Sequence, residues 1–289
     1  EIYTLSLHDA LPILVDLHKT HRNQDRSRCF PLIILKLMQQ NYQYLSDDLI
    51  LTQARFLPNQ DWLVNGAILK GEKTTVVWDT LSKPDDLYFI DDLIPLDHRV
   101  IAIYSHADWD HCWGTGAFPF DAIMAHQAAT DRFANELPSL LRRYQKRYGD
   151  FFADVTLEPP DVIFDQPVSL DLGGKTLDLI PCPSHTIDSI FAFCPEIGAL
   201  LVGDAVETVP EITNPRLVPD WIAALRNWAS DPRVQLVVPG HGDVGGAERL
   251  TETADYLSAL IEGKTISMTK QPAAERSVHR ANVKKMKTL

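Results

Sequence analysis

The chain has 289 residues, 45% of them hydrophobic, and a formal net charge of −12. That length supports one large domain or two small ones with a proper core. The acidic balance argues against nucleic acid and anionic membranes as partners, and no apolar run reaches the roughly 18 residues that a membrane span needs.

The first thirteen residues, "EIYTLSLHDALPI", look like the conceptual translation of a sequencing adapter, the mark of a metagenomic assembly. Residues 1–37 are therefore expected to be a non-native leader, with Met38 as the natural start. The run "FPLIILKLM" (30–38) is short, is interrupted by Lys36, and has no small-residue cleavage site after it. Cys29, Cys112, Cys182 and Cys194 form no CxxC pair, so reduced thiols in a cytoplasmic protein are expected.

Regular patterning begins near residue 49. "LILTQARF", "WLVNGAILKG" and "TTVVWDT" (74–80) predict strands, the last ending at Asp79. A short helix is expected over 85–94, then an apolar strand "RVIAIYSH" (99–106) and a short strand "AIMAH" (122–126). In 127–152 Leu137, Leu141, Tyr144, Tyr148 and Phe151 recur at three- and four-residue steps, which predicts a helix with one apolar stripe. Strands follow near 162–171 and in 175–185, then a hairpin over 189–204. A helix at 218–230, the strand "VQLVVPGHG" (234–242) and a helix over 246–262 complete the pattern. The basic tail, 266–289, lacks apolar periodicity and is expected to be loosely ordered. Mixed strands and helices predict an α/β arrangement of layered sheets.

The chemistry gathers at strand ends. Four loops carry it: "HADWDH" (106–111), "PSHT" with His185, "LVGDAVE" with Asp204, and "PGHG" with His241. Imidazole and carboxylate are the usual protein ligands of zinc and related ions. His106 and Asp108 alternate, so a turn can aim both at one ion; Asp110 and His111 lie one turn further on and can aim at a second. Glycines flank His241 and precede Asp204, which permits close backbone approach. Taken singly, each loop has a plainer reading: a hydrogen-bonded histidine, a turn, a polar cap. All four in this order, each after an apolar strand, point to metal.

These motifs resemble the metallo-β-lactamase superfamily, whose pattern is HxHxDH, a histidine in a loop like "PCPSHT", a bridging aspartate, then a late histidine. The resemblance covers roughly residues 45–262. It implies a four-layer αββα sandwich spanning 38–265, with residues 127–160 as a helical insertion. It implies two divalent ions, zinc first, with iron or manganese as alternatives. Site one would be His106, Asp108 and His185; site two would be Asp110, His111 and His241; Asp204 would bridge them. Asp79 matches an acidic position that holds ligands by hydrogen bonds, with a turn cap as its alternative reading. The motif here reads HxDxDH, because Asp108 stands where the family has its second histidine. With three carboxylates and a hydroxide balancing two divalent ions, such a shell favours hard ions and weakens the Lewis acid.

The implied activity is hydrolysis of an ester, lactone or thioester by a hydroxide shared between two ions, with Asp110 orienting it and accepting its proton. β-Lactam hydrolysis, a non-catalytic metal-binding role and a di-iron redox role are the alternatives. The substrate is expected to be a small molecule. Trp109 and Trp113 are candidate pocket walls, with core packing as their alternative. Arg143 and Arg147 are candidates for attracting an anionic substrate from the helix that follows, with a solvated helix face as the alternative.

Overall fold

A computed structural model of the chain describes residues 41–58 and 62–287, so the expected leader, Cys29 and the Met38 start lie outside the described residues. Two mixed sheets face each other. The first has seven strands in chain order: β1 (Tyr42–Tyr44), β2 (Leu49–Arg55), β3 (Leu63–Lys70), β4 (Thr74–Trp78), β5 (Arg99–Ile103), β6 (Ala122–His126) and β7 (Val162–Phe164). Neighbours are antiparallel from β1 to β4 and parallel from β4 to β7. The second sheet runs β12-β11-β10-β9-β8, built from β8 (Val168–Asp171), β9 (Thr176–Pro181), β10 (Ile190–Cys194), β11 (Ala199–Gly203) and β12 (Leu236–Pro239). In it only β11 and β12 are parallel.

The period-2 alternation of the strands builds the layers. Ala67, Leu69, Val76, Trp78, Ile101 and Ile103 of the first sheet meet Leu177, Leu179, Ile190, Ala192, Ala199 and Leu201 of the second in the central core. The alternate residues turn outward. Ile68 and Val77 pack under α1 (Ile90–Leu93) and the turns around it, with Leu81, Leu87 and Phe89. Phe191, Phe193, Leu200 and Val202 pack under α5 (Val218–Ala229) and α6 (Glu248–Ile261), whose Trp221, Leu225, Leu250 and Leu257 are buried. Helices outside, two sheets inside: this is the expected four-layer sandwich.

Several elements differ in detail from the sequence reading. The strand expected near 162–171 is two strands in different sheets, because "DQP" breaks it and Pro167 cannot donate to a ladder. The short helix expected over 85–94 divides into a 3-10 turn, Pro84–Leu87, and α1. The expected helix over 127–152 is α3 (Ala129–Asp131), a π turn (Arg132–Glu136), α4 (Leu137–Tyr148) and a final 3-10 turn. Between β5 and β6 stands a one-turn helix, α2 (Trp109–Cys112).

The tail corrects the expectation of loose order: Ala273–Met286 is a helix, α7. It docks through a polar anchor rather than an apolar stripe, which is why no period was visible. Asn282 is fully buried; its amide donates to the Pro210 carbonyl at 2.7 Å and to the Tyr256 hydroxyl at 3.2 Å, and its oxygen accepts from the Ile212 amide at 3.0 Å. Among the described residues no helix is long and apolar enough to cross a membrane.

Removing the Asn282 side chain strands buried partners on one loop and on α6. Asn282→Ala is expected to cost about 1–3 kcal/mol of stability, read as a lower midpoint in urea unfolding of the whole chain.

Candidate metal centre

The parallel pairs β4/β5 and β11/β12 place the carboxyl ends of four strands at one edge, and the polar residues follow those ends. Asp79 comes after β4, His106 after β5, Asp204 after β11 and His241 after β12; His185 sits in the β9–β10 loop. Asp110 and His111 lie on α2, with Asp108 at its N-cap. The two sheets are tied at this edge by Asn65, whose amide donates to the carbonyls of Pro239 (3.0 Å) and Gly242 (2.9 Å), and by the Ile190 amide, which donates to the Ser105 carbonyl at 2.9 Å.

Seven candidate ligands converge in two groups, one of His106, Asp108, His185 and Asp204, the other of Asp110, His111 and His241. Within the first, Asp108 Oδ2 lies 3.5 Å from His106 Nε2 and 3.1 Å from His185 Nε2. Within the second, Asp110 Oδ2 lies 3.6 Å from His111 Nε2 and 3.1 Å from His241 Nε2. Asp204 faces both: its Oδ2 is 3.6 Å from His106 Nε2, and its Oδ1 is 3.0 Å from His111 Nε2.

Each imidazole is held by its other nitrogen, so Nε2 is the atom left to point inward. The Nδ1 atoms lie 2.9 Å from Ser105 Oγ (His106), 2.9 Å from Asp79 Oδ2 (His111), 2.8 Å from the Glu211 carbonyl (His185) and 2.7 Å from the Leu63 carbonyl (His241). That is how metal-binding histidines are oriented. Asp79 does double duty, since its Oδ1 also accepts from the Ser105 amide at 2.7 Å. It does so from a left-handed backbone (φ 55°), a conformation that costs energy for any residue with a Cβ.

Space is equally constrained. A Cβ on Gly240 would sit 2.1 Å from Asp204 Oδ1, and one on Gly203 would sit 2.6 Å from Ser105 Oγ. Only glycine lets β12 and β11 come this close to the ligands.

The donor set fits divalent ions. His106 Nε2, His111 Nε2, Asp110 Oδ2 and Asp204 Oδ1 are buried and make no hydrogen bond. Such groups are costly unless something else satisfies them. Burial alone would lower the two outer histidines, but the Asp108 and Asp204 carboxylates push His185 up to about 10, and Asp204 and Asp110 push His241 up to about 9. Burial raises the Asp204 carboxyl, yet the surrounding imidazoles His111 and His241 hold it well below the usual range.

Comparison with known proteins agrees with this arrangement. The model of the metallo-beta-lactamase superfamily matches residues 59–246. The chain belongs to the metallo-beta-lactamase superfamily. A metallo-beta-lactamase from Pontibacter korlensis shares the fold at a TM-score of 0.59 and 18% identity, over 75% of this chain and 98% of that one. A metallo-beta-lactamase family protein from Thermus thermophilus does so at 0.59 and 18%, over 76% and 82%. The structure called VMB-1 aligns at 0.54 and 19%, over 75% and 96%. No curated protein matches the chain significantly.

Other residues singled out in the sequence fall outside the two groups of this metallo-beta-lactamase fold. Trp113 is fully buried, packed on Trp109 (5.7 Å) and Phe152 (5.5 Å), so it props α2 and offers no wall to a substrate. Trp109 is 7% exposed and touches Phe56 at 4.8 Å. Arg143 and Arg147 are exposed on α4, whose Tyr144 packs on Trp109 at 5.1 Å.

Sequence reasoning missed three contributors. Phe56 and Trp62, at the facing ends of β2 and β3, bracket the His241 ring at 5.6 and 5.2 Å. Arg132 pairs through Nη2 with Asp108 Oδ1 and, at 3.3 Å, through Nη1 with Asp188 Oδ1. The aromatic pair had a signal as the facing end residues of two predicted strands. Arg132 had none, lying in a helical stretch richer in more exposed arginines.

A metal ion requires neutral imidazole, whereas the carboxylates around them push His111, His185 and His241 up and favour their charged forms without one. The charged forms stabilise the metal-free chain fully below about pH 6.5, and that stability is lost as pH rises through the raised values of about 9 and about 10. Loading with zinc near neutral pH is therefore expected to release protons, measured by calorimetric titration in buffers of different ionisation enthalpy. Affinity is expected to rise with pH until those values are passed.

Proposed function

We propose that this chain is a metal-dependent hydrolase that cleaves an ester, lactone or thioester bond in a small molecule. One observation carries the reading: Asp204 turns one carboxylate oxygen to each of two His/Asp groups. His106, Asp108 and His185 would hold one divalent ion, Asp110, His111 and His241 the other, and Asp204 both. Zinc is the first expectation, with iron or manganese as alternatives. Ions held there would supply Lewis acidity toward a carbonyl and an acidified water.

The chain's own residues do the rest. Asp110 has a buried oxygen with no hydrogen-bond partner, which leaves it able to orient a water and accept its proton. Asp79 keeps the His111 ring in one orientation through the reaction. Half-buried Phe56 and Trp62, with the edge of Trp109, offer an apolar surface beside His241 for the acyl or leaving group. The free thiols Cys112, Cys182 and Cys194 suit a reducing, cytoplasmic compartment.

A pH-indicator screen of lactones, thioesters, simple esters and β-lactams, with and without chelator, tests the reading. Chelator-sensitive turnover of an ester-type bond is expected, and Asp110→Asn is expected to lower kcat by about 10²-fold or more. The solved metallo-beta-lactamases of the same fold favour one second reading, a cyclic amide substrate. Turnover of β-lactams alone would establish it, and silence across the panel with ions bound would overturn hydrolysis.

Arg143 and Arg147 project from the helix that covers Trp109, where they attract an anionic substrate. Reversing both charges is expected to raise KM for anionic esters several-fold at low salt and to leave neutral esters unchanged; an unchanged KM for the anion would remove the role.

A further inference from the structure

Asp108 is the one ligand position at which this chain departs from its family motif, and among the described residues it is the one candidate ligand with a cation on its outer oxygen. Its Oδ2 faces the Nε2 atoms of His106 and His185. Its Oδ1 is taken by Arg132 Nη2. Arg132 is in turn fixed from two further directions, by Asp188 Oδ1 at 3.3 Å and by Glu136 Oε2 at 3.1 Å. Asp188 is fully buried, and its second oxygen accepts from the amide of Ala107, the residue between His106 and Asp108. The arginine thus belongs to a closed circuit that begins and ends on the metal loop.

The backbone supports this placement. Arg132 opens the π turn between α3 and α4, with the Leu137 amide bonded to the Arg132 carbonyl. A π turn adds a residue to the helical repeat and re-aims the side chains around it, and such turns gather at functional sites.

We propose that Arg132 is the positioning residue that lets Asp108 act as a one-oxygen, charge-offset ligand in the place of the family's second histidine. The inference rests on the metal reading above. The guanidinium occupies the outer oxygen, so only Oδ2 faces the ion, and it offsets the charge that the carboxylate brings in.

The pairing makes a reciprocal prediction. With histidine at position 108 the arginine has no ligand carboxylate to hold, so its removal no longer costs that ion a positioned ligand. Four full-length proteins test this: wild type, Arg132→Met, Asp108→His and the double variant. Each is stripped with chelator and reloaded with cobalt(II) or zinc(II). Metal stoichiometry, competition against a chromophoric chelator and the cobalt absorption spectrum are read without any substrate. Arg132→Met alone is expected to weaken binding of one ion by about tenfold or more, with a changed cobalt spectrum. The double variant is expected to bind that ion at least as tightly as Asp108→His alone. Equal loss from Arg132→Met in both backgrounds, or no loss in either, would overturn the inference. If Arg132→Met does not fold, Arg132→Lys replaces it: retention of both ions is expected, and loss as complete as in Asp108→Ala would overturn charge balancing. A wild-type protein that binds no ion would overturn the metal reading itself, a result distinct from the other outcomes.

Discussion

A carboxylate taken out of water costs several kcal/mol unless opposite charge or a cation surrounds it, and Asp204 meets that requirement with four imidazoles. His106, His111, His185 and His241 place Nε2 at 3.6, 3.0, 3.9 and 3.6 Å from its two oxygens. Those histidines arrive from both sheets, so the carboxylate sets how the two layers meet at this edge. The glycines at 203 and 240 follow from the same crowding, because each lies where a Cβ would strike the cluster or its supports. The left-handed Asp79 follows too, since it anchors His111 and the Ser105 amide from one strand end.

The sandwich itself was legible because its signals are local. Residues two apart alternate between faces, so "LVNGAILK" and "IFAFC" display their buried sides without knowledge of the neighbours. The ligand loops were legible for a similar reason: each is a short cluster at the end of an apolar run, and the seven residues named from them come together. What stayed hidden depends on pairs distant in sequence. Arg132 meets Asp108 and Asp188 from a separate helical segment, and nothing in the spacing of those three residues marks the meeting. Its neighbours Arg143 and Arg147 drew notice because they cluster, although they face solvent.

The aromatic residues divide by the same logic. Trp109 and Trp113 were visible beside the motif, yet Trp113 is a prop beneath α2, packed edge-on against Phe152 and Tyr144. Phe56 and Trp62, the rings that touch His241, come from the turn between β2 and β3. Proximity in sequence to a ligand fixes a side chain in the core beneath the loop. Contact with the open side of the ligand falls to a different segment.

The C-terminal helix gives the site an unexpected dependency. Asn282 grips the backbone at Pro210 and Ile212, and between them the Glu211 carbonyl holds the ring of His185. Lys285 adds an ion pair to the Glu211 side chain at 3.0 Å. The candidate ligand His185 is therefore aimed by a segment that comes much later in the sequence. During synthesis the His185 loop leaves the ribosome well before its clamp does, so the first candidate metal group completes its framework only after that later segment has emerged.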